Sequence, residues 1–168
     1  MILGEGVFSW GDALTTTTLT DIGAVRGGGV LNIARTYERQ AADGDFGFVK
    51  GRIRINEEVA TLTIRALEMF SSALTSFYPG MTSSAGANLT TLTGKVEIAS
   101  GDYKKVQFTG KTHGGNAVQI TLDNAINMAP ITWELIDKSE VVSELVYTSC
   151  FLEATTTVPQ WTITIATT

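Results

Sequence analysis

The sequence predicts a mainly β chain: a β-sandwich or flattened barrel with one flanking α-helix, extended loops and an amino-terminal arm. Three observations lead there. Thr occurs 25 times and Gly 17 times in 168 residues, while charged residues make up 17%. Thr is β-branched and suits a half-exposed pleat, and Gly with Asn and Asp supplies turns. Apolar and polar residues then alternate at period two through much of the chain, which is the pattern of strands. The period lengthens to between three and four at residues 67–77, and this marks one amphipathic helix. A chain of this length can bury roughly two-thirds of its unfolded surface without disulfides or metals, so residues 1–168 are read as one domain.

Residues 1–29 are rich in Gly and Thr, including Thr15 to Thr18 and Gly27 to Gly29, and are expected to form a loose arm or long loop. VLNIARTYE at 30–38 alternates and reads as a strand, followed by a polar loop at 38–45 with a turn at Asp43 and Gly44. The stretch FGFVKGRIRINEEVATLTIRAL at 46–67 reads as a long β-hairpin on which the rest of the chain is organised. Phe46, Phe48, Ile53 and Ile55 on one arm answer Val59, Leu62 and Ile64 on the other. Arg52, Arg54, Thr61, Thr63 and Arg65 face away, Gly51 marks a bulge, and Asn56, Glu57 and Glu58 break the pattern as the tip.

Leu67, Phe70, Leu74 and Phe77 make the helical stripe, with Pro79 and Gly80 as its stop. MTSSAGAN is expected to be a loop. Short strands follow at 89–99, 104–109 and 117–122, with a helical turn at 123–128, DNAINM. Further strands are expected at 131–136, 141–152 and 162–166, separated by turn residues.

Net charge is −5, and all of it lies after Lys111: residues 1–111 hold 11 basic and 11 acidic side chains, and the remainder holds Lys138 against six acids. Gripping a phosphate backbone needs clustered Lys and Arg, so this balance argues against a nucleic-acid binder. Cys150 is the sole cysteine, which excludes an intramolecular disulfide and argues against a Cys-based zinc site. No window approaches 18 consecutive apolar residues, and MILGEGVFSWGD lacks the features of a signal peptide. The protein is expected to be made and used without secretion or a membrane anchor.

Catalytic chemistry finds little support in the residues. His113, the sole histidine, sits in the turn sequence THGGN with no nucleophile elbow anywhere in the chain. The carboxylate pairs Glu57 with Glu58, Asp43 with Asp45 and Glu140 with Glu144 have plainer accounts as strand neighbours or wet hairpin tips. Asp43, Gly44 and Asp45 resemble a fragment of a calcium loop without its later ligands. Gly4 and Gly6 are followed by Ser9 where a dinucleotide fingerprint needs glycine, and Gly27 to Gly29 lack the Lys of a phosphate loop. Asn88 opens a glycosylation sequon that has no meaning without a secretory route. No catalytic residue, cofactor or metal is therefore assigned. What remains is a sheet-rich chain with a loop at 38–45, an arm and open strand edges, which are features of an assembling subunit.

The order of elements resembles that of the major tail tube proteins of long-tailed bacteriophages. IGAVRGGG at 22–29 leading into VLNIARTYE carries the resemblance, as do the 47–67 hairpin followed by a helix ending in Pro79 and Gly80, and ITLDNAINMAPITWELID at 120–137. It extends over about residues 22–165. The resemblance implies a β-sandwich or barrel, hexameric rings stacked into a hollow tube that conducts DNA at ejection, and location in the virion tail after assembly in the bacterial host cytoplasm. It implies as partners further copies of the chain, the tape measure, the tail terminator, the baseplate or tip proteins, and genomic DNA passing without specific binding. Family loops and arms join successive rings, a role assigned here to 38–45, with Glu38, Arg39, Asp43 and Asp45 as contact residues, and to the segment before Gly29. A negative bore would oppose sticking to phosphate, and Glu57, Glu58, Glu140 and Glu144 are the candidates to face it. The alternative reading is a stand-alone β-sandwich module binding carbohydrate or protein, with Trp10, Trp133 or Trp161 as a stacking platform.

Overall fold

The computed structural model of the chain describes residues 2–13, 18–67, 71–86, 89–133, 137 and 141–167. The described elements run β1 (Ile2–Asp12), β2 (Thr20–Asp21), β3 (Val25–Arg39), β4 (Ile53–Ala66), α1 (Ser71–Phe77), β5 (Met81–Ala85), β6 (Thr90–Gly94), β7 (Lys104–Thr112), β8 (Ala117–Asn127), β9 (Ser143–Ser149) and β10 (Trp161–Ile165). The protein is mainly β, with antiparallel sheets and, among the described residues, one short α-helix. The large sheet has the order β2-β1-β7-β8-β9-β4-β3, with β10 also on β8, and β5 pairs with β6 separately.

The two ends of that strand order are joined by residues 22–24. Ile22 N donates to Phe8 O at 2.8 Å and Leu67 N donates to Ala24 O at 2.9 Å, so the sheet curls until its ends approach. β8 makes the corner. Its residues Val118 to Leu122 pair with β10, whereas Ala125 to Asn127 pair with β9. The change of partner falls at Asn124, whose φ of 48° lies in the left-handed region that Asn tolerates better than most residues. Residues 123–127 are thus strand with a kink, and the expected helical turn at 123–128 is corrected. Its polar side chains serve the corner, where Asn124 Nδ2 donates to Gln160 Oε1 at 2.7 Å.

Inside the curl lie Phe8, Leu62, Ile64, Val106, Phe108, Leu122, Leu145 and Tyr147, closed over by Leu74, Phe77 and Tyr78 from α1 and its end. Each fully buried Leu or Ile here contributes about 1.5–3 kcal/mol of transfer free energy. The helix is pinned by a buried amide. Asn127 Nδ2 donates to Phe77 O at 2.8 Å while its Oδ1 accepts from Val146 N at 2.9 Å and Ala129 N at 3.0 Å. The expected three-turn helix is described over Ser71–Phe77, and Phe70 of its stripe lies outside the described residues.

Among the described residues of the first 29, Ile2–Asp12 and Thr20–Asp21 are strand and not a loose arm. β1 pairs with β7 from Gly6 to Asp12 and buries Phe8, whose ring lies 4.8 Å from that of Phe108. The glycine that makes this stretch look unstructured is a packing requirement: a Cβ on Gly6 would come within 2.4 Å of Thr109 O and 2.5 Å of the Phe108 ring. Gly29 in β3 admits the Phe8 ring in the same way, its would-be Cβ lying 2.7 Å from that ring. Thr15 to Thr17 lie outside the described residues.

The hairpin expected at 46–67 is also corrected. β4 runs unbroken through Asn56, Glu57 and Glu58, and its hairpin partner is β3. Thr36 pairs with Glu57 and Tyr37 with Ile55, so Asn56 is the extra residue of a bulge, not part of a turn. A bulge and a tip break the alternation alike, which is why the pattern misled. The actual turn spans 40–52, and Gly51, with φ of 88°, belongs to it. MTSSAGAN, expected as a loop, supplies β5, whose partner is β6. Residues 131–133 are not strand, and 134–136 lie outside the described residues.

Candidate functional site

The bulge at Asn56 keeps one face of the β3–β4 ribbon continuous. From the core outward that face carries Leu31 opposite Leu62, Ile33 opposite Ala60, Arg35 opposite Glu58, Tyr37 opposite Ile55, and Arg39 opposite Ile53. Leu62 and Ala60 are buried, yet Tyr37 is 64% and Ile55 54% exposed. The apolar face continues beyond the core that should cover it.

The boundary is a polar junction. Arg35 pairs with Glu58, and Trp161 Nε1 at the start of β10 donates to Glu58 Oε1 at 2.6 Å. The Arg35 guanidinium also lies 5.9 Å from the centre of the Trp161 ring. The hydrogen bond from Trp161, with that of Arg35 and its charge, holds the Glu58 carboxyl below its ordinary value against the opposing effect of desolvation. Among the described residues nothing covers the ribbon past this point.

At its end the 40–52 turn presents Phe46 and Phe48, 109% and 79% exposed. The turn is internally braced: Asp45 accepts from Arg52 Nη1 at 2.8 Å and from Ala42 N at 2.9 Å, Gln40 N donates to Arg52 O at 2.9 Å, and Arg39 lies 5.6 Å over the Phe48 ring. A braced turn loses little freedom when it docks.

Strand edges are open here as well. β4 pairs with β9 over Thr61 to Ala66, and its described pairs on that side stop there. The edge from Ile53 to Ala60 is left beside a cleft of about 660 Å³, walled by Ile55, Glu57, Val59, Met128, Phe151 and Pro159. β3 pairs with β4 alone among the described strands. Unpaired edges of this length are templates for another strand.

Glu38, Arg39, Asp43 and Asp45 fall together at the far end of the ribbon, though Asp45 and Arg39 are engaged within the turn as above. The acidic candidates for a bore are dispersed. Glu57 is exposed on the cleft wall and makes no salt bridge among the described residues. Glu58 is taken up by Arg35 and Trp161, Glu144 is exposed with Arg65 at 3.7 Å, and Glu140 lies outside the described residues. Phe46, Phe48, Ile53 and Ile55 were expected to face a core and instead face outward. The signal available was the spacing of Gly44, Gly47 and Gly51, which suits a turn better than a buried strand.

Of the tryptophans, Trp10 and Trp161 have their rings engaged, while Trp133 is 41% exposed. Trp10 packs edge-on to Phe77 at 5.7 Å with Lys104 over its ring, Trp161 lies under Arg35, and Trp133 Nε1 donates to Ser143 Oγ at 3.0 Å. His113 stands exposed in the β7–β8 turn. Among the described residues no group of three or more His, Cys, Asp or Glu could hold a metal ion, and no helix is long and apolar enough to cross a membrane.

No family model matches the chain, and no curated protein matches it. Among solved structures it is similar to the anti-feeding prophage cap, the tube terminating cap, with a TM-score of 0.46 and 10% identity over 95% of this chain and 88% of that chain.

Proposed function

We propose that the chain is a structural subunit that associates with copies of itself, edge to edge, into hexameric rings that stack as the tube of a phage tail and conduct DNA at ejection. The observation that carries this reading is the ribbon beyond the Glu58 junction, where an apolar face, open strand edges and a braced aromatic tip coincide. A lone copy leaves that surface in water, and pairing with another copy removes both the idle backbone groups and the apolar area. The free edge of β3 and the open stretch of β4 are the sheet-forming surfaces. The tip at 40–52, with Glu38, Arg39, Asp43 and Asp45, is the contact between rings. Glu144 is offered as a residue of the bore wall, where a carboxylate opposes adhesion of phosphate. Other tail proteins, namely the tape measure, terminator and baseplate or tip, complete the set of partners in the virion, after assembly in the host cytoplasm.

Negative-stain microscopy with light scattering over a concentration series tests this. Rings or tubes with mass rising in ring-sized steps support it, and a monomer at every concentration contradicts it.

A further inference from the structure

The ribbon tip and the β4 cleft are complementary. The tip carries Phe46 and Phe48 with Lys50 in the same turn, exposed and making no salt bridge among the described residues. The cleft is walled in part by apolar side chains that are themselves open to solvent, with Met128 63%, Ile55 54% and Phe151 37% exposed, and Glu57 on the same wall, next to Glu58, makes no salt bridge among the described residues. One surface has aromatic knobs and a spare cation. The other has an apolar socket and a spare anion.

The tip does not fill its own cleft, since Phe46 and Phe48 stay exposed and neither lines it. We propose that Phe46 and Phe48 of one copy seat in the cleft beside β4 of a second copy, with Lys50 meeting the second copy's Glu57. This rests on the self-association reading and names the two surfaces that meet. Aromatic side chains bury about 150–250 Å² each, so two of them can anchor a contact whose core is desolvated and whose rim carries the charges. The knob and socket are different patches of one chain. Such a heterologous contact propagates from copy to copy instead of closing a pair, which suits stacked rings.

The test places a photo-reactive benzoylphenylalanine at position 48 in an equal mixture of isotopically light and heavy chains, assembled and then irradiated. Mixed light–heavy cross-links from the tip to peptides holding Met128 or Phe151 are expected. Lys50→Glu and Glu57→Lys are each expected to raise the concentration for half-assembly several-fold, and the double reversal to restore it. Phe46, Phe48, Lys50 and Glu57 are all exposed, so circular dichroism melts of variants at these positions should not move. Assemblies whose cross-links map elsewhere would overturn the socket while leaving self-association intact. Failure of the unmodified chain to assemble at any concentration would remove both. Co-sedimentation of the monomer with anionic phosphatidylglycerol vesicles, lost in Phe46→Ala/Phe48→Ala while assembly is unchanged, would make the tip a lipid-binding device and overturn the proposal.

Discussion

At its core end the β3–β4 ribbon sets Leu31 against Leu62 and Ile33 against Ala60; at its far end the same face sets Tyr37 against Ile55 and Arg39 against Ile53. Residue types alone do not separate the ends, since both carry large apolar side chains on a two-residue period. Coverage does. β9, β1 and the helix close over the first, and the covering stops at Arg35, Glu58 and Trp161. Side chains at the core end therefore hold the fold, while those at the far end are available to another molecule.

Substitutions at the two ends should divide accordingly. The largest loss is expected at the core end: Leu62→Ala removes a side chain that is 2% exposed and should cost about 2–5 kcal/mol in urea denaturation. Ile55→Ala, the same kind of deletion at the far end, should cost under about 0.5 kcal/mol and should impair assembly instead. Equal losses at the two positions would erase the distinction.

Next in size is the clamp between the core and its helix. Asn127→Ala strands Phe77 O and Val146 N, and leaving buried groups unpaired costs about 1–3 kcal/mol each, so a loss of at least about 2 kcal/mol is expected. Retained stability would mean that water or a shift of the helix replaces the amide.

The junction between the two ends should respond to acid. Glu58 has its folded value depressed below the ordinary 4.5. Its contribution is thus present above about pH 4.5 and is lost as pH falls through the lower folded value. Thermal melts of Glu58→Gln should show a shallower acid limb than the wild type between those values, and coincident acid limbs would deny the junction this role. The smallest effect belongs to Tyr147, whose buried hydroxyl finds no hydrogen-bond partner among the described residues and whose phenol is pushed far up by burial. Tyr147→Phe should leave stability unchanged or raise it by up to about 1 kcal/mol, because it removes a desolvated polar atom and little volume. A clear loss would reveal a partner for that oxygen.

The sequence made much of this legible where one residue type has one meaning. Period two in ATLTIRA and in KKVQFT marks strands because alternation has no other common cause, and Pro79 with Gly80 marks a helix end. Where one local pattern has two physical origins, reading failed. Asn56, Glu57 and Glu58 look the same as a turn or as a bulge, and only the partner strand tells which. Gly6 looks like flexibility until the Phe108 ring is set against it. The candidate surface was legible in part: 38–45 and open edges were expected, but Phe46 and Phe48 read as core because nothing local distinguishes a covered apolar face from an uncovered one.

Whether the uncovered end of the ribbon is where copies meet is measured directly by backbone amide hydrogen exchange. Dilute and assembled samples should differ most at amides of 53–60 and at the outer edge of 30–39, with marked slowing on assembly, while 61–66, already paired to β9, stays as it was. Assembled material in which 53–60 exchanges as fast as in the monomer would contradict that contact.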